Sequence, residues 1–288
     1  MIKTILVPSS GTEADEPVLA TALALARPLS SHLVFYHPRL SAYEAALRAP
    51  HSQFSRGGAV TEALDHLGAQ SDHLSEASRR RFERLCADER IRIDSKPASS
   101  PQLSAHWSEQ VDEPERHLIA HGRCSDLIVI GRRQSGLLRE DLIQTLLLAC
   151  GRPVVIAADK TPAALFGTIV FGWKECAESA HALAAALPLL QQAREVVVTD
   201  VSPEGSGALH TLDGVIEHLA WHGIAANCHI APAGPSSTAA QLLRVCSSFG
   251  AQMLVVGAFG QTPMREAIFG GVTHALIDRA PIPVLLVH

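Results

Sequence analysis

The sequence contains an internal repeat, and this repeat limits the possible folds more than any other feature. An apolar segment followed by a helical pattern occurs near the start and again near the middle, and two further apolar segments recur at matching distances. The matched pairs are 4–8 (TILVP) with 168–172 (TIVFG), 125–131 (SDLIVIG) with 251–257 (AQMLVVG), and the Pro-Val segments 153–156 with 283–287. We therefore expect two copies of one domain, at 1–158 and 164–288, connected by a short polar linker.

The repeated apolar segments are short, rich in β-branched residues and continuous rather than alternating, which is typical of strands covered on both faces. Helical patterns separate them, so right-handed βαβ crossovers and a parallel sheet are expected. The predicted fold class is α/β, with two tandem doubly wound domains, each a five-stranded parallel sheet flanked by helices. The predicted strands are 2–8, 32–37, 91–95, 126–131 and 153–157 in the first half, and 167–172, 195–201, 225–231, 252–257 and 283–287 in the second.

The first half is longer than the second between its second and third strands. Residues 41–70 contain one proline and three glycines, so we expect a loop or a short-helix excursion there, before an arginine-rich helix that ends near Cys86. The short linker predicts that the two halves pack together as an intramolecular pseudo-dimer, with their last strands as candidates for the contact. A homodimer of two chains is also compatible with this pattern.

Composition and charge narrow the classes of function. The formal net charge is −5, so the chain lacks the basic character of a nucleic-acid-binding protein, and the arginine run 79–81 lies among acidic residues. No apolar run reaches the roughly 18 residues needed to span a bilayer, and the first residues lack the cleavage site of a signal peptide. The six scattered cysteines include no Cys-x-x-Cys, which favours reduced thiols. We expect a cytoplasmic protein with neither nucleic acid nor a membrane as its partner.

A glycine-rich pattern follows the fourth strand of the second half. Gly257 and Gly260 come directly after the strand, and after nine further residues Gly270 and Gly271 open the last helix. Ligands of doubly wound sheets bind beyond the carboxyl ends of the strands. Glycine lets the backbone approach a ligand closely, and the unpaired N–H groups of a helix start attract phosphate. The pattern predicts a phosphate-binding site, with turn-shaping glycines as the alternative. It has no Walker-loop lysine and is not a dinucleotide fingerprint.

The spacing Gly-x-x-Gly, nine residues, then Gly-Ser/Thr, with Pro-Val in the last strand, resembles the ATP-binding signature of universal stress proteins. The resemblance covers nearly the whole chain, and the run 265–273 (REAIFGGVT) is similar to the tandem bacterial branch of that family. It implies an adenine nucleotide alpha hydrolase-like fold, a role in the stress response, and ATP or a related adenine nucleotide as ligand, with Mg²⁺ only as its companion. The implied nucleotide-binding residues are Gly172, Trp173, Lys174, Val201, Gly257, Gly260, Gly270, Gly271, Val272 and Thr273.

Several positions depart from the family pattern. ATP-binding members carry an aspartate after the first strand, which accepts a hydrogen bond from the adenine amino group. Ser10 stands there in the first half and Lys174 in the second; an ammonium group has no acceptor, although it attracts anions. Gly271 replaces the Ser/Thr of the pattern, and Gln144 stands where the first half should have a glycine. We therefore expect the first half to have lost nucleotide binding, and at most one nucleotide per chain.

Other residues could suggest phosphate contacts or metal binding. Arg132 and Arg133 are candidate phosphate donors in the first half, although exposed arginines are usually solvated. Asp200 ends the second strand of the second half, where it could face a ligand or cap the next turn. The histidine pairs 117/121 and 218/222 could each share a helix face, but no glutamate or cysteine pair completes a zinc site. We interpret these histidines as solvated or core-edge residues.

The sequence shows no nucleophile elbow, no paired carboxylates near the glycine pattern and no evident catalytic base. It therefore predicts a non-enzymatic regulatory protein, in which any ATP hydrolysis is slow and incidental. The alternative is a nucleotide-independent stress scaffold or small-ligand-binding protein that has lost ATP binding, as Ser10, Lys174 and Gly271 suggest. A third hypothesis is an enzyme that acts on a small phosphorylated or adenylylated molecule.

Overall fold

Strands and helices alternate along both halves of the chain. The computed structural model describes residues 1–39, 41, 58–97, 102–111, 113–132, 142–160, 164–200, 208–230, 237–258 and 271–288. The strands are β1 (Thr4–Pro8), β2 (His32–Arg39), β3 (Arg92–Ile93), β4 (Ser104–Val111), β5 (Leu127–Ile130), β6 (Val154–Ile156), β7 (Thr168–Trp173), β8 (Glu195–Asp200), β9 (Ala226–Ile230), β10 (Met253–Gly257) and β11 (Val284–Val287). The helices are α1 (Asp15–Leu29), α2 (Gly58–Asp88), α3 (Pro114–Arg123), α4 (Leu142–Cys150), α5 (Ala177–Leu190), α6 (Ala208–Trp221), α7 (Thr238–Ser248) and α8 (Gly271–Arg279). None of these helices combines the length and the apolar composition needed to cross a membrane.

The described strands form one sheet in the order β3-β4-β2-β1-β5-β6-β11-β10-β7-β8-β9. Within each half the paired strands are parallel, and the longer strands follow the same order: third, second, first, fourth, fifth. β6 and β11 pair antiparallel, with Val155 opposite Leu285, and this pairing makes the two half-sheets continuous. It joins the two last strands that the sequence indicates as candidates for the contact. The predicted doubly wound α/β fold is confirmed.

Each face of the sheet is covered by helices from both halves. In β1, Ile5 and Val7 belong to the core on one face and Leu6 to the core on the other, as expected for a strand buried on both sides. The first core includes buried residues of α1, α2, α5 and α6, and the second includes those of α3, α4, α7 and α8. Because each core contains residues from both halves, apolar packing continues across the seam between β6 and β11.

The amino end of the first strand is fixed in a similar way in both halves. Asp126, just before β5, accepts hydrogen bonds from the N–H groups of Lys3 at 2.7 Å and Thr4 at 2.9 Å. Gln252, just before β10, accepts one from the N–H of Thr168 at 2.6 Å. Burial alone would raise the pKa of Asp126, but these hydrogen bonds and one from the Thr4 hydroxyl outweigh it, and the pKa is lowered. The repeat therefore extends to the contacts that align the central strands.

Two features of the first half differ from the prediction. Segment 91–95 contributes only the two-residue edge strand β3, and the strand that pairs with β2 along its whole length is β4. The sequence of β4 (SAHWSEQV) is largely polar and half-exposed, so it shows no apolar run. Residues 58–70, expected in a loop or short-helix excursion, belong to the 31-residue helix α2, because packing of α2 on β2 and β4 outweighs the helix penalty of Gly58 and Gly68. Residues 42–57 of that excursion lie outside the described residues.

Candidate functional site

The strand order reverses between β7 and β10 of the second half. From β7 the sheet continues to β8 and β9 on one side, whereas β10 and β11 lie on the other. The carboxyl ends of β7 and β10 therefore form the crevice in which doubly wound sheets bind ligands. Gly172 and Trp173 end β7, Gly257 ends β10, and Gly172 lies opposite Val256. The structure thus brings three of the expected site residues to one place.

Gly257 is packed against the first turn of α5. A Cβ atom at this position would lie 2.6 Å from the carbonyl carbon of Glu178 and 2.7 Å from the backbone nitrogen of Ser179. These are backbone atoms, so a side chain would force the helix to move. A Cβ atom at Gly271 would meet no atom within 4 Å. The glycine at position 257 is therefore accounted for by helix packing, which sequence analysis gave only as the alternative to ligand approach.

The turn after β7 presents a positive charge near the first turn of α5. Lys174 is exposed, and its N–H donates to the hydroxyl of Ser179 at 3.2 Å. The α5 N-cap residue, Cys176, makes no capping hydrogen bond to a backbone N–H of the helix, and its thiol donates instead to the Ser179 hydroxyl at 3.5 Å. The carboxylate of Glu178 accepts a hydrogen bond from its own backbone N–H, and this lowers its pKa. A carboxylate thus occupies the start of α5, so an anionic ligand is better accommodated by Lys174 and by the start of α8 than by α5.

Helix α8 begins at the second glycine pair of the sequence pattern. Gly271 and Val272 are exposed, and Thr273 is buried. The N–H groups of a first helical turn have no partner within the helix and carry partial positive charge, which favours phosphate at this end. The remaining residues expected in the site, Val201, Gly260 and Gly270, lie outside the described residues.

Two buried polar atoms at the carboxyl ends of β7 and β8 have no hydrogen-bond partner within the described part of the chain. They are Nε1 of Trp173 and Oγ1 of Thr199. Thr199 is fully buried and lies opposite Gly172 in the sheet. Trp173 packs against the first core, whereas Thr199 shares the face of Val197 in the second core, so the two atoms lie on opposite faces of the sheet. Buried polar atoms are nearly always hydrogen-bonded, so each is a group that a ligand or water can complete. Thr199 is absent from the residues expected from the sequence; its place beside Gly172, near the end of the neighbouring strand, is the signal that could have indicated it.

The equivalent turn of the first half is filled by a carboxylate. Asp15, in the first turn of α1, accepts hydrogen bonds from the hydroxyls of Ser9 and Ser10 at 2.8 Å. It also accepts from the N–H groups of Ser10 and Gly11 at 2.9 Å. Asp15 stands at the position that corresponds to Ser179, since the turn 9–15 aligns with 173–179. Its negative charge and saturated hydrogen bonds make this turn unfavourable for a phosphate.

Helix α2 closes the first-half turn from outside. Gly11 has a φ of +79°, and a Cβ atom there would lie 2.2 Å from the carbonyl oxygen of Leu74. Nη1 of Arg81 donates to the carbonyl oxygen of Gly11 at 2.5 Å, and the hydroxyl of Ser78 lies 2.8 Å from that of Ser9. Protein groups therefore occupy the surroundings of a turn that in the second half carries the exposed Lys174.

The arginine considered as a phosphate donor in the first half contacts the second half instead. The guanidinium of Arg132, which follows β5, donates to the carbonyl oxygens of Ala280 and, at 3.5 Å, of Asp278, at the end of α8. A cation is favourable there because helix carboxyl ends carry partial negative charge. Gln144 lies within α4 and is half-buried, and Arg133 lies outside the described residues. Arg132 thus caps a helix across the seam.

Three histidines of the first half lie close together on the face of the sheet that packs against the second core. Nε2 of His32 lies 2.7 Å from Nδ1 of His106, and the two rings stack with centroids 5.0 Å apart. Burial lowers the pKa of His32, His106 and the nearby His121. His218, on α6, and His222, in the turn just after it, are both exposed. Among the described residues, no group of three or more histidine, cysteine, aspartate or glutamate side chains could hold a metal ion.

The carboxy-terminal part of the chain matches a known family. Residues 234–288 match the model of the universal stress protein family, and this segment contains the glycine pattern that begins at Gly257. No curated protein sequence matches the chain.

Solved structures share the fold over the whole chain. A universal stress protein of Archaeoglobus fulgidus DSM 4304 has a TM-score of 0.69 at 16% identity, over 99% of this chain and 97% of that chain. A functionally unknown protein of Pseudomonas aeruginosa PAO1 has a TM-score of 0.57 at 16% identity, over 99% and 92%. A chain from P. aeruginosa UCBPP-PA14, described provisionally as a universal stress protein, has a TM-score of 0.57 at 16% identity, over 99% and 93%. At this identity the likeness establishes the fold, and the predicted resemblance to universal stress proteins is confirmed.

Proposed function

We propose that this chain is a stress-response protein of the universal stress type, and that its second half binds ATP or a related adenine nucleotide. The proposal assigns the nucleotide to the crevice between the ends of β7 and β10, with the phosphates toward Lys174 and the start of α8. It treats 1–158 and 164–288 as two domains, of which the first keeps the fold without the ligand. The site residues remain those implied by the motif, with Thr199 added.

The observation that carries the proposal is a difference between the two equivalent turns, 9–15 and 173–179. Both contain acidic residues, but only the second contains a cation, Lys174, and only the first has a carboxylate at the helix position that faces the turn backbone. In the second half the turn after the first strand carries the exposed ammonium of Lys174, and the helix residue that faces its backbone is the neutral Ser179. In the first half the same helix position is Asp15, whose carboxylate accepts four hydrogen bonds from the turn. A nucleotide carries several negative charges on its phosphates, so the exposed ammonium of Lys174 favours the second half over the first.

The base-binding part of the site has changed from the family pattern. Lys174 offers donors only, so it cannot accept a hydrogen bond from the adenine amino group. The orphaned hydroxyl of Thr199 both donates and accepts, and the orphaned N–H of Trp173 donates. Trp173 ends β7, which borders the crevice, whereas Thr199 lies in the neighbouring β8 and faces the other side of the sheet, so one base would contact only one of them. A donor or acceptor on a purine edge complements either group, which supports retention of a ligand over complete loss.

Binding, rather than turnover, is the proposed activity. Two histidines lie near the phosphate seat, and both contact protein groups: Nδ1 of His274 lies 3.0 Å from the Asp278 carboxylate, and Nδ1 of His288 lies 3.4 Å from the carbonyl oxygen of Ala258. Mg²⁺ would be coordinated by the nucleotide phosphates and water, since no cluster of protein ligands is present among the described residues. A nucleotide held between β7 and α8 would stabilise one arrangement of the second half and so change a surface that a partner recognises. The competing hypothesis is a scaffold that has lost its ligand.

A thermal shift assay with ATP, ADP, AMP and inorganic phosphate tests the proposal. At about 100 times its dissociation constant, a nucleotide that binds only the folded chain adds about 2.7 kcal/mol to the free energy of unfolding. The variant Lys174→Glu should weaken ATP binding by about tenfold or more, because it replaces attraction by repulsion. Lys160→Glu, which makes the same charge change at an exposed position away from the crevice, is the control. Absence of any shift with the wild-type chain would support the scaffold, and phosphate release would support an enzyme.

A further inference from the structure

A cavity lies away from the proposed nucleotide crevice. It has a volume of about 1060 Å³ and lies between helices α1 and α2 of the first half and the segment 164–167 that leads into β7. Gly167 and Gln252, which line it, precede β7 and β10, whereas the nucleotide crevice lies beyond the other ends of these strands. The volume is at the upper end of the range found for small-molecule sites.

The walls of this cavity are largely apolar. α1 contributes Leu19 and Leu23, α2 contributes Leu85, and the connecting segment contributes Leu165 and Phe166. Leu165 is buried in the core, and the carbonyl of Phe166 accepts a hydrogen bond from the N–H of Arg194 at 2.8 Å, so the connecting segment is held in place. Leu23, Leu85 and Phe166 are half-buried and border the cavity. An apolar wall with a few polar groups is the usual composition of a ligand site.

Charged residues surround the apolar walls. The lining includes four arginines and three carboxylates, which gives a net charge of +1. Arg27 pairs with Glu89 at 2.6 Å, and Arg81 donates to the carbonyl of Gly11. Within the described residues, Arg84 and Arg194 make no side-chain ion pair or hydrogen bond, and both are exposed at the cavity. Guanidinium groups without a partner, next to an apolar surface, suit the carboxylate of an amphipathic molecule.

We propose that this cavity binds an amphipathic monoanion, an aliphatic carboxylate whose head contacts Arg84 and Arg194 and whose chain lies against Leu19, Leu23 and Phe166. The surplus of a single positive charge matches a singly charged head. Since the walls come from α1 and α2 on one side and from the segment before β7 on the other, the ligand contacts both halves of the chain. Its binding therefore stabilises the contact between them, independently of any nucleotide.

Titration calorimetry of the full chain with dodecanoate, below the concentration at which it forms micelles, tests this proposal. The expected result is saturable binding of one molecule per chain, with much weaker binding of dodecanol, which lacks the charge. The double variant Arg84→Ala/Arg194→Ala should bind dodecanoate about tenfold or more weakly. The matched control is Arg80→Ala/Arg116→Ala, which removes two arginines from exposed ion pairs on α2 and α3 that do not line the cavity.

A second variant separates loss of the site from loss of the fold. Ala20→Trp places a large side chain in the cavity from an exposed position of α1, so it should abolish dodecanoate binding while the melting temperature stays close to that of the wild type. ATP should neither compete with dodecanoate nor be displaced by it. Unsaturable binding, unchanged affinity in the Arg84/Arg194 double variant, or competition with ATP would each overturn the proposal.

Discussion

Replacing Gly257 by alanine adds one methyl group where the structure leaves no room for it. The new Cβ would lie 2.6–2.8 Å from backbone atoms of Glu178 and Ser179, whereas ordinary contact begins at 3.4 Å. The first turn of α5 would have to move by about 0.8 Å, the difference between 2.6 and 3.4 Å. Overpacking of this kind costs about 1–3 kcal/mol, and the lower entropy of an unfolded chain with alanine returns about 0.4–1 kcal/mol. We expect a net loss of about 1–2 kcal/mol in the free energy of unfolding.

Urea denaturation without nucleotide measures this loss, followed by far-UV circular dichroism and by tryptophan fluorescence. Gly271→Ala is the matched control, because its Cβ would meet no atom within 4 Å and alanine favours a helix. It should be as stable as the wild type or slightly more so. A Gly257→Ala variant with wild-type stability but no ATP binding would refute the packing explanation, and would show that the glycine serves the ligand instead.

Two further predictions concern charge. Burial lowers the pKa values of His32, His37, His106 and His121 below 6.5. As the pH falls, the unfolded chain therefore takes up protons before the folded chain does. The stabilising contribution of these histidines is complete above about pH 6.5, and it decreases as the pH falls through their folded-state pKa values, by at most about 1.4 kcal/mol per pH unit for each histidine. A free energy of unfolding that stays constant down to about pH 5 would contradict this. The variant Arg132→Ala removes the cap of α8 and should lower the free energy of unfolding by about 1 kcal/mol, measured by urea denaturation. The control is Arg116→Ala, which removes only an exposed ion pair. Equal stability of the two variants would argue against the cap.

The central strands could be predicted from the sequence because they are buried on both faces. Continuous apolar runs such as 127–130 and 253–256 alternate with helical patterns in both repeats, so they are best interpreted as buried parallel strands. β4 escaped prediction for the opposite reason: it lies near the sheet edge, so its side chains are half-exposed and its sequence is polar. Gly68 likewise suggested a break, but packing of α2 against β2 and β4 decides the structure there.

The candidate site was predictable only in part. The glycine pattern predicts a site at the carboxyl end of β10, and that site stays a prediction. The contact of Gly257 with α5 depends on tertiary packing that no local pattern contains. Arg132 caps a helix end 146 residues further along the chain, and sequence spacing carries no information about such a contact. Asp15 resembled an ordinary first-turn acid, whereas its four hydrogen bonds depend on how the turn at 9–11 folds back over it.

We propose that the second half of the chain binds one nucleotide and that the first half binds none. Titration calorimetry with ATP tests it most directly, on the wild-type chain and on Gly270→Val, whose branched side chain would crowd the phosphate seat. We expect a stoichiometry of one for the wild type and no measurable binding for the variant. Two nucleotides per chain, or unchanged ATP affinity in Gly270→Val, would contradict it and would return the first-half turn around Ser10 to consideration as a working site.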